Sequence, residues 1–197
     1  LLGSGGREHT MAWKMSQSPL LKQLFICPGN AGTSQHGTNV SLNIDDHQAF
    51  TDFLLNEKVD MIVVGPEQPL VDGIHDRIVA DEKLKHISVI GPKKAAAELE
   101  GSKDFAKQFM QRHNIPTAAY QTFNKHSLQA GVEYLKNTKA PYVLKADGLA
   151  AGKGVVILSD LEEAIKVFTE MITEDKFGSA GHQVVIEEFL TGVELSV

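Results

Sequence analysis

The stretch richest in chemistry is Lys145-Ala146-Asp147-Gly148-Leu149-Ala150-Ala151-Gly152-Lys153-Gly154-Val155. An apolar run, Tyr142 to Lys145, leads into it and another, Val155 to Leu158, leads out. This predicts a strand ending in a lysine, a glycine-rich hairpin and a second strand. A hairpin of small residues can fold over phosphates with its N–H groups on their oxygens, and a strand-borne lysine can set a point charge beside them. The pattern is not a P-loop. The spacing from Gly148 to Gly152-Lys153 is one residue short, Gly154 stands where a Ser or Thr would hold Mg2+, and a strand follows instead of a helix. A surface hairpin with solvated lysines is the plainer alternative.

Three other polar loops each follow an apolar run. Gly3-Ser4-Gly5-Gly6-Arg7-Glu8 follows Leu1-Leu2, Pro28-Gly29-Asn30-Ala31-Gly32-Thr33 follows Leu24 to Cys27, and Gly65-Pro66-Glu67-Gln68-Pro69-Leu70 follows Met61 to Val64. Glycines let a backbone come close to a ligand, a helix N-terminus offers free N–H groups to an anion, and Arg7 adds a planar charged donor. The first loop departs from the dinucleotide fingerprint, because its third glycine is adjacent and no acidic residue closes a second strand about 20 residues on. In an open parallel sheet, ligands sit at the carboxyl ends of strands, so three such loops predict one shared crevice. Ordinary turns between strands and helices have the same composition. Ile186-Glu187-Glu188-Phe189-Leu190 ends the last apolar run, and because neighbours on a strand point to opposite faces, at most one of its acids faces a pocket.

Composition limits the choice of class. With 42% hydrophobic and 22% charged residues the chain can bury an ordinary core, and its net charge of −6 argues against a nucleic-acid partner. The single cysteine, Cys27, allows no internal disulfide and suits a reducing cytoplasm. Its apolar neighbours make it a buried strand residue more readily than a nucleophile. No apolar run reaches the ~20 residues that cross a bilayer, and no signal peptide is visible, so no membrane partner is expected. The histidines, at 9, 36, 47, 75, 86, 113, 126 and 182, show no ligand spacing, so no metal site is expected within this chain. Leu1-Leu2 runs straight into the first loop, and Glu194-Leu195-Ser196-Val197 reads as an uncapped strand. A piece of a longer protein is therefore expected, inactive on its own.

The elements that position these loops follow from periodicity. Asp46 should cap a helix bearing Ala49, Phe50, Phe53 and Leu54, and Pro69 should open one bearing Leu70, Ile74 and Ile78. Met61 to Val64 reads as the clearest buried strand, ended by a turn signal, and Ile87 to Ile90 as another strand. Ser102 should cap a helix with Phe105, Ala106, Phe109 and Met110 on one side, ended by Asn114 and Pro116. Lys107 in that helix reads as solvated. Asp160 should cap a helix carrying Leu161, Ala164, Ile165, Phe168 and Ile172, followed by a strand from Val184 to Phe189. The fold class is α/β: a Rossmann-like parallel-sheet domain over residues 1–92, a helical linker over 93–116, and a smaller α+β unit over 117–197, cut short.

The five motifs Gly3-Ser4-Gly5-Gly6-Arg7-Glu8-His9, Pro28-Gly29-Asn30-Ala31-Gly32, Gly65-Pro66-Glu67-Gln68-Pro69-Leu70, Gly101-Ser102-Lys103 and Lys145 to Gly154 together resemble the glycinamide ribonucleotide synthetases of the ATP-grasp superfamily, over nearly the whole chain. The resemblance implies a pre-ATP-grasp domain followed by part of an ATP-grasp domain. It implies a ligase of purine biosynthesis that joins glycine to 5-phosphoribosylamine through an acyl phosphate made from ATP, with no side-chain nucleophile. It implies ATP-phosphate lysines at Lys103 and Lys145, and a phosphate-covering loop at Gly148, Gly152, Lys153 and Gly154. It further implies an adenine hinge at Glu187 and Leu190, a ribose acid at Glu194, and a phosphoribosyl site at Gly5, Gly6 and Arg7 with Asn30 and Glu67 nearby. The family's Mg2+ or Mn2+ ligands would lie beyond Val197. Two other classes compete: another ATP-grasp enzyme such as a biotin-dependent carboxylase subunit, which the second and third loops disfavour, and a non-catalytic nucleotide or sugar-phosphate sensor.

Overall fold

The computed structural model describes residues 1–150, 153–174, 182–193 and 195. The chain divides into two units, Leu1–Ala97 and Glu98–Val197. The elements of the first are β1 (Leu2–Gly3), α1 (Gly6–Met15), β2 (Phe25–Pro28), β3 (Thr38–Asn39), α2 (His47–Asn56), β4 (Met61–Val63), α3 (Gln68–Val71), α4 (Ile74–Ala80) and β5 (Ser88–Ile90); α5 (Lys94–Gly101) crosses into the second. All strand pairs in the first unit are parallel: β1 with β2, β2 with β3, β4 with β5. A parallel bridge from Leu2 to Val64 joins the two sets, giving the order β3-β2-β1-β4-β5. The order reverses between β1 and β4, and the loops after these two strands flank that reversal, where open α/β sheets bind ligands.

Helices pack on both faces of this sheet at its β1–β2 end and on one face at its β4–β5 end. Leu2, Cys27, Ile62 and Val64 pack with Phe50 and Leu54 of α2 and with Leu70, Ile74 and Ile78 of α3 and α4, while Leu24 and Ile26 pack with Ala12 of α1. Asp46 caps α2 as expected, its Oδ1 accepting the Ala49 N–H at 3.1 Å. Two expectations need correction. The helix from Pro69 is broken at Gly73, whose φ of 93° no helix continues through, so the same apolar stripe is carried by two short helices. The Met61 strand is buried on one side only: Ile62 and Val64 point into the core, whereas Met61 between the pleats is 53% exposed.

The second unit holds α6 (Lys103–Arg112), β6 (Tyr120–Asn124), α7 (Leu128–Lys136), β7 (Tyr142–Ala146), β8 (Val155–Leu158), α8 (Leu161–Thr173) and β9 (Gln183–Glu187). Its strands form an antiparallel sheet in the order β6-β9-β7-β8. Alternation divides the sheet into two faces. One carries Phe123, Leu144, Ala146, Val184 and Ile186 against Leu135 of α7 and Ala164, Phe168, Met171 and Ile172 of α8. α7 and α8 can approach this closely because of Gly131, where a Cβ would sit 2.2 Å from Phe168 Cζ. The other face carries Tyr120, Thr122, Val143, Lys145, Val185 and Glu187. The last strand is shorter than expected and ends at Glu187: the Glu188 N–H still donates to the Ala119 carbonyl at 2.8 Å, but the Ala119 N–H goes to the Glu188 carboxylate at 3.2 Å. No helix among the described residues is long and apolar enough to cross a membrane.

Candidate active site

In the first unit a buried acid organises two of the polar loops. Glu8, in the first turn of α1, accepts the Gly5 N–H at 2.6 Å and Arg7 Nε at 3.2 Å. Its side chain lies so close to Gly3 and Gly65 that a Cβ at either would come within 2.6 Å or 2.3 Å of it. Only glycine fits at these two positions, and Gly3 also has a φ of 117°. Arg7 then reaches Glu67 across from the β4 loop, Nη1 donating to Oε1 at 3.0 Å. Asn30 joins the remaining loop: its Nδ2 donates to the Ser4 carbonyl at 2.7 Å, and its Oδ1 accepts the N–H groups of Gly32 and Thr33. Gly5, Gly6, Arg7, Asn30 and Glu67 are thus brought together. Asn30 uses its amide to hold loops, and Gly6 is open, with no atom within 4 Å of an added Cβ. Sequence reasoning passed over Glu8, although an acid three residues after an N-cap is half of a capping box and was the available signal.

The hydrogen bond from Arg7 holds the Glu67 carboxyl below its usual value of 4.5. Glu67 and, less strongly, Glu8 raise the Arg7 guanidinium in return. A carboxyl depressed by folding contributes stability that is complete above the unfolded value and lost as pH falls through the folded one. Both side chains are about half exposed, so the contribution is small. In a carboxyl-carbon NMR titration, Glu67 should show a midpoint below 4.5, and Arg7→Lys, which loses the forked geometry, should move it upward.

The second unit gathers most of the remaining candidates around the base of the glycine-rich hairpin. The Ala146 N–H closes that base on the Gly154 carbonyl at 2.7 Å, and a Cβ at Gly154 would press on Ala150 at 2.7 Å. Asp147 fixes the N-terminus of α6 beside it. Its carboxylate accepts the Ser102 hydroxyl at 3.0 Å and the Asp104 N–H at 2.7 Å, and its carbonyl accepts the Lys103 N–H at 3.1 Å. An anion suits this position, where unpaired N–H groups of the first turn converge. Lys103 Nζ consequently lies 3.0 Å from the Gly148 carbonyl. Burial pushes the Lys103 ammonium below its usual value; Asp147 opposes the shift and Lys145 adds to it.

Lys145 projects from β7 and meets Glu187 of the neighbouring strand, Nζ to Oε2 at 2.8 Å. The Ser102 cap forms as expected, accepting the Phe105 N–H at 3.0 Å. Lys107 is a correction: the sequence reads it as solvated, yet it is 6% exposed, its ammonium accommodated by Glu187, Thr117 and the Ala118 carbonyl. Phe105, Ala106, Phe109 and Met110 are only half-buried. Lys153 and Leu190 are exposed, and Gly152 and Glu194 lie outside the described residues. Val155 and Ile157 of β8 are exposed on the same face as Lys145, an apolar surface beside a cation that sequence reasoning did not single out. Among the described residues no group of three or more His, Cys, Asp or Glu side chains could hold a metal ion.

Residues 1–100 match the family model described as phosphoribosylglycinamide synthetase, N domain, and residues 101–197 match that family's ATP-grasp (A) domain. The chain belongs to the phosphoribosylglycinamide synthetase family. Among family members it is 50% identical over 198 residues to the phosphoribosylamine–glycine ligase of Escherichia coli O157:H7, an alignment covering 100% of this chain and 45% of that protein. It is 52% identical over 196 residues to the enzyme of the same name from Mesorhizobium japonicum, covering 100% and 44%. The crystal structure of phosphoribosylamine–glycine ligase from Thermotoga maritima superposes with a TM-score of 0.73 at 34% identity, covering 98% of this chain and 44% of that one. The chain therefore spans about half the length of the phosphoribosylglycinamide synthetases it matches. The parallel-sheet unit falls in the N domain of this family, and the hairpin with its two lysines falls in the ATP-grasp domain.

Proposed function

We propose that this chain supplies the phosphoribosylamine-binding unit and part of the ATP-binding unit of a phosphoribosylamine–glycine ligase. The reaction joins glycine to 5-phosphoribosylamine: ATP phosphorylates the glycine carboxylate, the amine attacks the glycyl phosphate, and glycinamide ribonucleotide, ADP and phosphate leave. The observation that carries this reading is the match of both halves of the chain to one family of ligases, with the polar clusters at the expected loops in each half. The acyl phosphate provides a leaving group that a free carboxylate lacks, so the protein's work is to position reactants and neutralise charge.

In this reading Lys103 and Lys145 bind ATP phosphates, and Gly148, Gly152, Lys153 and Gly154 cover them. The backbone at Glu187 and Leu190 meets adenine, whose ring packs on Val155 and Ile157, and Glu194 holds the ribose. Gly5, Gly6 and Arg7 take the phosphoribosyl group, with Glu67 orienting Arg7 and Asn30 fixing the loops. A divalent cation, Mg2+ or Mn2+, would accompany ATP and offset phosphate charge. The described residues assemble no set of ligands for it.

The test is ADP formation by protein of the relatives' full length that begins with this chain. ADP should form only when glycine and phosphoribosylamine are both supplied. Equal ATP consumption with an unrelated carboxylate would reject the substrate assignment.

A further inference from the structure

Lys107 has no part in the reading above, yet it is the most deeply buried cation described. Its ammonium has three N–H donors, and each has an acceptor: Thr117 Oγ1 at 2.8 Å, the Ala118 carbonyl at 3.1 Å and Glu187 Oε2 at 3.3 Å. The Tyr120 ring lies 5.5 Å from the same nitrogen. Lys107 is therefore fully satisfied where it stands. Lys145 differs. Among the described residues its ammonium has one acceptor, the same Glu187 Oε2, at 2.8 Å, and its side chain is 27% exposed where that of Lys107 is 7% exposed. One buried carboxylate oxygen is thus shared by a fixed cation and a cation with donors to spare.

This asymmetry matters for a lysine that must move onto phosphate. If Lys145 were the only counter-ion of Glu187, leaving would strand a buried carboxylate, which is strongly unfavourable. With Lys107 in place the carboxylate stays neutralised and hydrogen-bonded after Lys145 departs, and the charge of Lys145 becomes available to the incoming anion. We propose that Lys107 is a positioning residue for nucleotide binding: as the permanent counter-ion of Glu187, it releases Lys145 to ATP phosphate.

The proposal rests on the assignment of Lys145 to ATP, so the experiment tests the two separately. Steady-state kinetics with ATP varied are measured in protein of the relatives' full length, alongside thermal unfolding. Lys107→Met leaves Lys145 as the sole partner of Glu187, and KM for ATP should rise by about 10- to 100-fold while KM for glycine stays within about twofold. Adding Glu187→Gln removes the carboxylate that retains Lys145 and should return KM for ATP to within about threefold of the parent. Lys107→Arg, which keeps the charge, should rescue most of the loss.

A KM for ATP unchanged in Lys107→Met, or a rise that Glu187→Gln fails to reverse, would overturn the proposal, and so would a recovery that appears only in the thermal midpoint, since a merely structural pair restores folding and leaves KM for ATP unmoved. Should Lys107→Met not fold, Lys107→Gln, which removes the charge but keeps a donor toward Thr117 and Ala118, decides: the proposal requires KM for ATP to rise by about tenfold, and an unchanged KM sinks it. Lys145→Met is the separate control. If it leaves KM and kcat for ATP unchanged, the phosphate role of Lys145 fails and the proposal with it, whatever the Lys107 variants do.

Discussion

Lys145→Met should lower kcat/KM for ATP by about 10²- to 10³-fold in protein of the relatives' full length, the range found when one preorganised charged or hydrogen-bonding group is removed from a transferring centre. Methionine keeps the length of the aliphatic stem and deletes only the ammonium, so the effect is electrostatic. Little unfolding should accompany it. Glu187 keeps Lys107 as its ion pair at 3.3 Å, and β7 keeps its ladder to β8 and β9. The check is initial-rate ADP release with ATP varied, paired with a thermal midpoint within a few degrees of the parent. A loss smaller than about threefold would take Lys145 out of the phosphate site.

Phe168→Ala should cost about 3–5 kcal/mol of stability in the second unit. The ring is fully buried and packs edge-on against Phe123, centroids 5.9 Å apart at 86°. The ring fills the space above Gly131, where an added Cβ would lie 2.2 Å from Cζ, and glycine has no side chain to move into the space the ring leaves. The void therefore persists, and the lost contacts are not recovered. Against a total of about 5–15 kcal/mol for a domain, this brings the unit close to unfolding at working temperature. Urea denaturation gives the magnitude, and hydrogen exchange at the amides of β7 and β9 locates it. A loss below about 1 kcal/mol would mean that α8 is not the keystone of this core.

Much of this was legible in the residues. Asp46, Ser102 and Asp160 each precede an apolar stripe and each accepts the N–H three residues on. The glycine-rich hairpin follows a strand that ends in Lys145, as the run from Tyr142 predicts. What was not legible depended on partners distant in sequence. β6, with Tyr120, Gln121 and Thr122, has too few apolar residues to register as a strand; its place comes from pairing with β9, 59 to 67 residues away (Asn124 with Gln183, Tyr120 with Glu187). Lys107 reads as solvated because a lysine's burial depends on an acid found on another element, here Glu187. Gly131 gives no sign in the sequence that it serves the packing of two helices. Glu8 was readable from the spacing of a capping box but was overshadowed by the glycines it holds.

The register of β7 against β9 also limits how the sequence can change in length. Leu144 and Lys145 are consecutive, so they face opposite sides of the sheet, one against α8 and the other toward Glu187. Deleting one residue between Tyr142 and Leu144 would leave the backbone ladder able to close. It would also exchange the two faces for every residue downstream to Ala146, sending an ammonium into the apolar layer and a leucine into the position of the cation. Deletions in this strand are tolerable only in pairs. Natural variation in length should therefore gather in the segments joining β8, α8 and β9 and leave the five residues of β7 untouched.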